Sequence, residues 1–155
     1  MDVIIKVSPF VKDSDGDYGF EVKIPGKDYV LAASVNLHAL IVSLASDDCD
    51  EPVLTCGCGV AECAGFWKEH CNRTADVVHW SIREQQTDFE LFFDRGIYER
   101  GAIEMLADIV DSKSGWDTLG CPPHGSFEEF EAHVKWLLDA EPHLREMWKH
   151  IRGGD

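Results

Sequence analysis

The chain has 155 residues, enough for one domain to bury a core without staples, and it is strongly acidic: 29 Asp and Glu against 14 Lys and Arg, a net charge of −15. A field of that sign repels phosphate backbones and anionic headgroups, which argues against nucleic acid and membrane surfaces as partners and for a basic protein. The surplus is spread, with 10 acidic and 4 basic residues in the first 60 positions and 19 and 10 in the rest, so no acidic tail stands apart and the chain reads as a single domain, 1–155.

The opening stretch MDVIIKVSPFVKDSD has an acidic residue at position 2 and only a short apolar run, matching neither a basic-headed signal peptide nor a spanning helix. The expected location is the cytoplasm, where thiols stay mostly reduced. Residues 3–7 (VIIKV) are rich in β-branched types, and YGFEVKI at 18–24 alternates apolar with small or charged residues, the period of a half-buried strand. With the turn DSDGD between them, the two runs suggest a hairpin. That turn superficially suggests a calcium loop, but its glycine stands at the fourth position where the sixth is needed, and Ile24 stands where a bidentate glutamate belongs. Ser34 is placed to cap a helix bearing Leu37, Leu40, Ile41 and Leu44 on one face, which ends before the acidic loop DDCDEP.

After a cysteine-rich segment come DVVHWSI at 76–82 and DFELFFD at 88–94, an antiparallel pair by virtue of the short polar REQQT between them. Asp94 then caps a helix with Tyr98, Ala102, Met105, Leu106 and Ile109 on one stripe, Arg95 and Tyr98 covering the junction. Residues 112–125 form one long loop broken by Gly and Pro. Ser126 and Glu129 make a capping box for a helix with Phe127, Phe130, Val134, Leu137 and Leu138 in register, and Pro142 suits the first position of a final helix. The tryptophans fall mostly on apolar stripes and read as core, whereas Trp67 and Trp116 lie in loop-like surroundings open to exposure. The fold expected is α+β: an antiparallel sheet of about four to six strands, a helix after the N-terminal hairpin and three helices toward the C-terminus.

Residues 55–71, TCGCGVAECAGFWKEHC, hold four of the six cysteines and one histidine. Tetrahedral zinc takes four thiolate or imidazole ligands, and Cys56, Cys58, Cys63, His70 and Cys71 supply those types, with His79 a further candidate for the fourth position. The spacing is C-x-C, unlike the familiar C-x2-C knuckle, and a C-x-C pair in a strand points both side chains to one face. Three readings stay open: a zinc site, a tight glycine-rich turn in which cysteines only pack, and a Cys56–Cys63 or Cys58–Cys63 disulfide. Cys121-Pro-Pro-His124 pairs a thiol with a base, but the two prolines set a stiff spacing and no oxyanion donor is evident nearby.

The stretch CGCGVAECAG, followed by VVHWSI and FFDRGIYE, resembles a family of small bacterial proteins of unknown function in which a C-x-C-G-x3-C-x-G turn precedes a V-x-W strand and an F-D-R-x2-Y motif. The resemblance spans roughly residues 54–106 and implies no particular activity. It implies three recurring cysteines, with nothing in the family pattern corresponding to His70 or Cys71.

No nucleophile elbow, phosphate-cradling glycine loop, H-E-x-x-H or dinucleotide fingerprint is present in the sequence. The function expected is therefore non-enzymatic: a binding module of the immunity or inhibitor type that neutralises a basic protein, a toxin being one such partner. Its expected contact residues are Asp47, Asp48, Asp50 and Glu51 of the acidic loop and Glu128, Glu129 and Glu131 of the Ser126 helix. The alternatives are a zinc-stabilised interaction module and an enzyme using Cys58, Cys63 or Cys121 as nucleophile. No other cofactor is expected.

Overall fold

A computed structural model of the chain describes residues 3–55, 67–84, 87–119 and 125–153. The frame is the antiparallel pair β8 (Val77–Glu84) and β9 (Thr87–Asp94). Their two-residue period sorts side chains by face: Val78, Trp80 and Ile82 stand opposite Phe93, Leu91 and Phe89, all buried, while His79, Ser81 and Arg83 stand opposite Phe92, Glu90 and Asp88 on the other face. β7 (Trp67–Arg73) extends the sheet on the β8 side, and the short strand β5 (Asp48–Cys49) pairs antiparallel with β7. On the far edge β1 (Ile4–Ile5) pairs parallel with β9, giving the order β1-β9-β8-β7-β5.

The expected N-terminal hairpin forms with a different partner. β3 (Tyr18–Lys23) pairs with β2 (Phe10–Lys12), and residues 3–7 contribute β1 to the other sheet. The reason is the turn itself: Asp13 N–H donates to Asp17 O, Gly16 N–H donates to Asp13 O, and Gly16 takes φ 86°, so the chain reverses within five residues and sets Lys12 opposite Tyr18. β3 pairs on with β4 (Val30–Val35) and β4 with β6 (Leu54–Thr55), completing a second sheet of order β2-β3-β4-β6. Ser34 consequently lies in a strand, and Asn36 is the cap of α1 (Leu37–Leu44), its Oδ1 accepting from Ala39 N at 3.1 Å. The acidic loop is likewise part strand, since Asp48 and Cys49 form β5.

The two sheets meet through Phe20 of β3, whose ring packs edge-on against Trp80 and Phe93 at centroid distances of 6.0 and 6.1 Å. Tyr98 closes the same core from α2 (Arg95–Ser112), fully buried against Phe10 and Phe93, its hydroxyl accepting from Trp80 Nε1 at 3.1 Å. Asp94 caps α2 as expected, accepting from Ile97 N at 3.0 Å. Ser8 crosses α2 at Gly101, where a Cβ would lie 2.0 Å from Ser8 Oγ. The expected loop 112–125 contains a single turn, α3 (Trp116–Leu119), and Trp116 packs on Phe127 and Phe130 of α4 (Phe127–Ala140). Ser126 caps α4, and Pro142 opens α5 (Pro142–Ile151). Trp136 of α4 is 48% exposed, on the outward side of its helix and outside the core expected for it.

One guanidinium ties the sheet to the helices. Arg73, at the end of β7, donates to Asp47 Oδ1 at 2.9 Å, to Leu44 O at 2.7 Å and to Glu141 Oε1 at 2.7 Å, and lies 3.9 Å from buried Glu99 of α2. Glu99 is held also by Arg95 and His143, both at 3.2 Å. Removing one member leaves buried charge uncompensated. Arg73→Ala is expected to lower the unfolding free energy by about 3 kcal/mol in urea titration, whereas Arg83→Ala, which breaks an exposed pair with Asp88, should leave it unchanged.

Candidate functional site: the acidic face of the five-stranded sheet

The face of β5, β7, β8 and β9 turned away from the core follows directly from strand alternation. Cross-strand register aligns His70 with Ser81 and Ser81 with Glu90, and places Asn72 between Asp48 and His79. Asp50, one residue beyond β5, extends the first of these rows. His70 is gripped from both sides: Nδ1 lies 2.5 Å from Asp50 Oδ1 and Nε2 lies 2.6 Å from Asp48 Oδ1. A carboxylate oxygen beside each ring nitrogen favours the doubly protonated ring over either neutral tautomer. The hydrogen bond to Asp50 raises the His70 pKa above its ordinary value, the charges of Asp48 and Asp50 add to this, and partial burial opposes it.

Beside this grip, Asp50, His70, Ser81, Arg83, Asp88 and Glu90 line an open concavity of about 440 Å³. Arg83 donates to both oxygens of Asp88, at 2.7 and 3.1 Å, and Glu90 Oε1 accepts from Ser81 Oγ at 3.0 Å with His79 Nε2 at 2.9 Å. His79 in turn stacks on Phe92 at 4.4 Å. Asp88 and Glu90 also border a second concavity of about 280 Å³ whose other walls include Val3, Ile24, Pro25, Lys27 and Phe92. Among the described side chains the face thus carries Asp48, Asp50, Asp88 and Glu90 with the Arg83 guanidinium and the His70 ring between them, a surface with carboxylates in excess and with Lys27 and apolar side chains at its margin.

The inward face of β7 is quite different. Glu69 points into the protein, where Oε1 accepts from Val53 N at 3.1 Å and Leu54 N at 2.9 Å. Leu54 opens the edge strand β6 of the other sheet and Val53 precedes it, and both N–H groups would otherwise be buried without partners. No cation meets the carboxyl among the described residues, and burial pushes its pKa up to about 8, against the opposing effect of the Leu54 and Val53 N–H groups. Two positions on, Cys71 stands directly opposite Cys49 of β5, both buried as free thiols. Burial, with Cys49 and Glu69 as neighbours, pushes the Cys71 thiol up to about 12.

The residues singled out in the sequence therefore separate. Asp47, Asp48 and Asp50 are highly exposed, with side-chain exposures of 87, 70 and 84%, and Glu51 is exposed beside them. Glu128, Glu129 and Glu131 are also exposed, but they occupy the far end of α4. Glu141, just past the other end of α4, is the residue that meets Arg73 next to Asp47. A helix of 14 residues is about 20 Å long, so the two acidic groups do not form one surface. Cys56, Cys58 and Cys63, together with Cys121 and His124, lie outside the described residues. Of the remaining candidate ligands, His70 faces outward and Cys71 inward, so a single ion cannot take both. Among the described residues no group of three or more His, Cys, Asp or Glu side chains is arranged to hold a metal. Asp88 and Glu90 were missed, although the alternation in DFELFFD already places them on the polar face of their strand.

In comparisons with known proteins, no family model, no curated protein and no solved structure matches the chain.

The state of Glu69 is open to measurement. A carboxyl with a native pKa near 8 against an ordinary 4.5 binds its proton more tightly when folded, so its contribution to stability is complete below about pH 4.5 and is lost as pH rises through 8. His70, whose pKa is also raised, acts in the same direction. Urea midpoints measured from pH 4.5 to 8.5 should fall with rising pH, and Glu69→Gln should flatten much of that fall; an unchanged slope would show that Glu69 is already ionised at neutral pH.

Proposed function

We propose that the protein is a non-enzymatic binding module of the immunity or inhibitor type, which neutralises a basic protein partner through the outward face of its five-stranded sheet and the adjoining β5 edge. The observation that carries this reading is the gathering of Asp50, Asp88 and Glu90 around an open concavity on one sheet face, with Asp48 beside it on the other side of His70. Exposed carboxylates on a rigid scaffold steer a cationic partner and fix its orientation more than they add raw affinity. Val3 and Phe92 at the margin add apolar area of the kind found toward the centre of protein interfaces. Asp47 and Glu51 extend the surface at the β5 edge, while Glu128, Glu129 and Glu131 form a separate acidic surface outside it.

Arg83 and His70 have a place in this reading. They hold neighbouring carboxylates in fixed positions, and an incoming lysine or arginine can exchange for them. The described thiols face inward, away from the concavity, which supports binding over thiol chemistry at this face.

A lysine- and arginine-rich peptide titrated into isotope-labelled protein should shift the amide signals of β5, β8 and β9 in preference to those at the start of α4. Its affinity should fall roughly tenfold between about 50 and 300 mM salt. The triple change Asp50→Asn, Asp88→Asn, Glu90→Gln should weaken it at least tenfold, and Glu128→Gln, Glu129→Gln, Glu131→Gln should leave it nearly unaltered. Shifts confined to α4, or an affinity indifferent to salt, would overturn the assignment of this face. The immunity role is checked with a basic toxin encoded beside the gene, whose activity the protein should abolish at equimolar ratio.

A further inference from the structure

We propose that Cys49 and Cys71 form a reversible cross-strand disulfide that locks the β5 edge to the sheet when the protein meets a small oxidising disulfide such as oxidised glutathione. The starting observation is register: Cys49 of β5 stands opposite Cys71 of β7, both are free thiols, and both are only 7% exposed on the inward face. Two unbridged cysteines facing each other across a strand pair are candidates for a bond, because the backbone register already sets them directly opposite one another.

The geometry can be taken further. Arg73 N–H donates to Asp47 O at 2.9 Å, so residues 47 and 73 are a hydrogen-bonded pair, and by alternation so are 49 and 71. Cα atoms at such a pair are about 5.5 Å apart, inside the roughly 4.4–6.8 Å range that disulfides span. The Cβ atoms must close by about 1 Å to reach disulfide spacing. β5 supplies that movement: it has two residues, lies at the sheet edge and pairs in its sheet only with β7. A bond closed against this resistance is more easily reduced than a relaxed structural disulfide, which suits a reversible link.

Position also sets the order of events. Cys49 is on the two-residue edge strand, so it is the thiol that opening of β5 exposes to solvent; in the closed strand burial raises its pKa and the weak hydrogen bond from Glu51 N at 3.4 Å opposes that rise. The Cys49 thiolate attacks one sulfur of the oxidant, forming a mixed disulfide and releasing one thiol. Cys71, held in the interior strand, gives up its proton to the departing thiolate as it attacks Cys49 Sγ, so the Cys49–Cys71 bond forms and the second thiol leaves. The two protons lost by the cysteines end on the two released thiols, and two electrons pass from the protein to the oxidant.

The consequence reaches the outward face. Asp48 and Asp50 flank Cys49 and hold His70 between them, so fixing Cys49 fixes both carboxylates. The inference concerns bond formation and does not rest on the binding reading.

The test uses the full-length protein. After incubation with oxidised glutathione, blocking of free thiols and non-reducing digestion, mass spectrometry should find the peptides of Cys49 and Cys71 joined and separable by dithiothreitol. The melting midpoint should rise by about 5 °C or more on oxidation and return on reduction. Cys71→Ser should retain one glutathione on Cys49, whereas Cys49→Ser should leave Cys71 unmodified. Recovery of Cys49 and Cys71 as separately blocked thiols, or either one joined to a cysteine of residues 56–63, would overturn the proposal; should Cys71→Ser fail to fold, the peptide map of the unaltered chain decides alone.

Discussion

The arrangement depends on a single guanidinium. Arg73 sits at the end of β7 with little access to water, and its planar group reaches the end of α1 at Leu44, the segment before β5 at Asp47, the α4–α5 junction at Glu141 and, more distantly, Glu99 of α2. An ammonium could not satisfy those directions at once, since only the forked group presents fixed donors on several sides. Such a network adds modestly to net stability, because each charge loses its water, but it rejects every packing that leaves one of them unpaired. It therefore fixes how the helices sit on the sheet, and hence where the β5 edge lies.

From that edge outward, strand alternation does the remaining work. β7 presents Glu69, Cys71 and Arg73 to the interior and His70 and Asn72 to the outside, so neighbouring residues belong to different environments. On the inside a carboxyl is pushed toward neutrality and a thiol is kept protonated. One residue away, the hydrogen bond to Asp50 and the charge of Asp48 shift His70 toward its protonated form. The same backbone thus carries opposite electrostatic regimes on its two faces, and the negative surface is assembled from β5 and β9, which share no direct pairing.

This explains what the sequence disclosed. β8, β9, α2, α4 and α5 were legible because each is long enough to show its period and has a cap or helix-opening residue where one is needed: Asp94, Ser126 and Pro142 all stand where expected. β2, β5 and β6 have two or three residues, too few for a period, and are strands only because a neighbour completes their hydrogen bonds. β7, reading WKEHCNR, lacks the apolar alternation of an amphipathic strand because its inward positions include Glu69 and Arg73, each of which has its own buried partners. β1 pairs with a strand more than 80 positions away, which local pattern cannot show. At the candidate site, Asp48, Asp50 and His70 stood out for separate reasons, and their junction follows from a register visible only once β5 is known to be a strand.

Glu69 has a further meaning in the way the chain is put together. Its carboxyl fastens Leu54, the last position before Thr55, to the third residue of β7, so the two ends from which residues 56–66 depart are pinned to one another by the protein interior. That clasp joins the edge strand of one sheet to an inner strand of the other, so the carboxyl works as a rivet between two layers whose backbones share no ladder at that point.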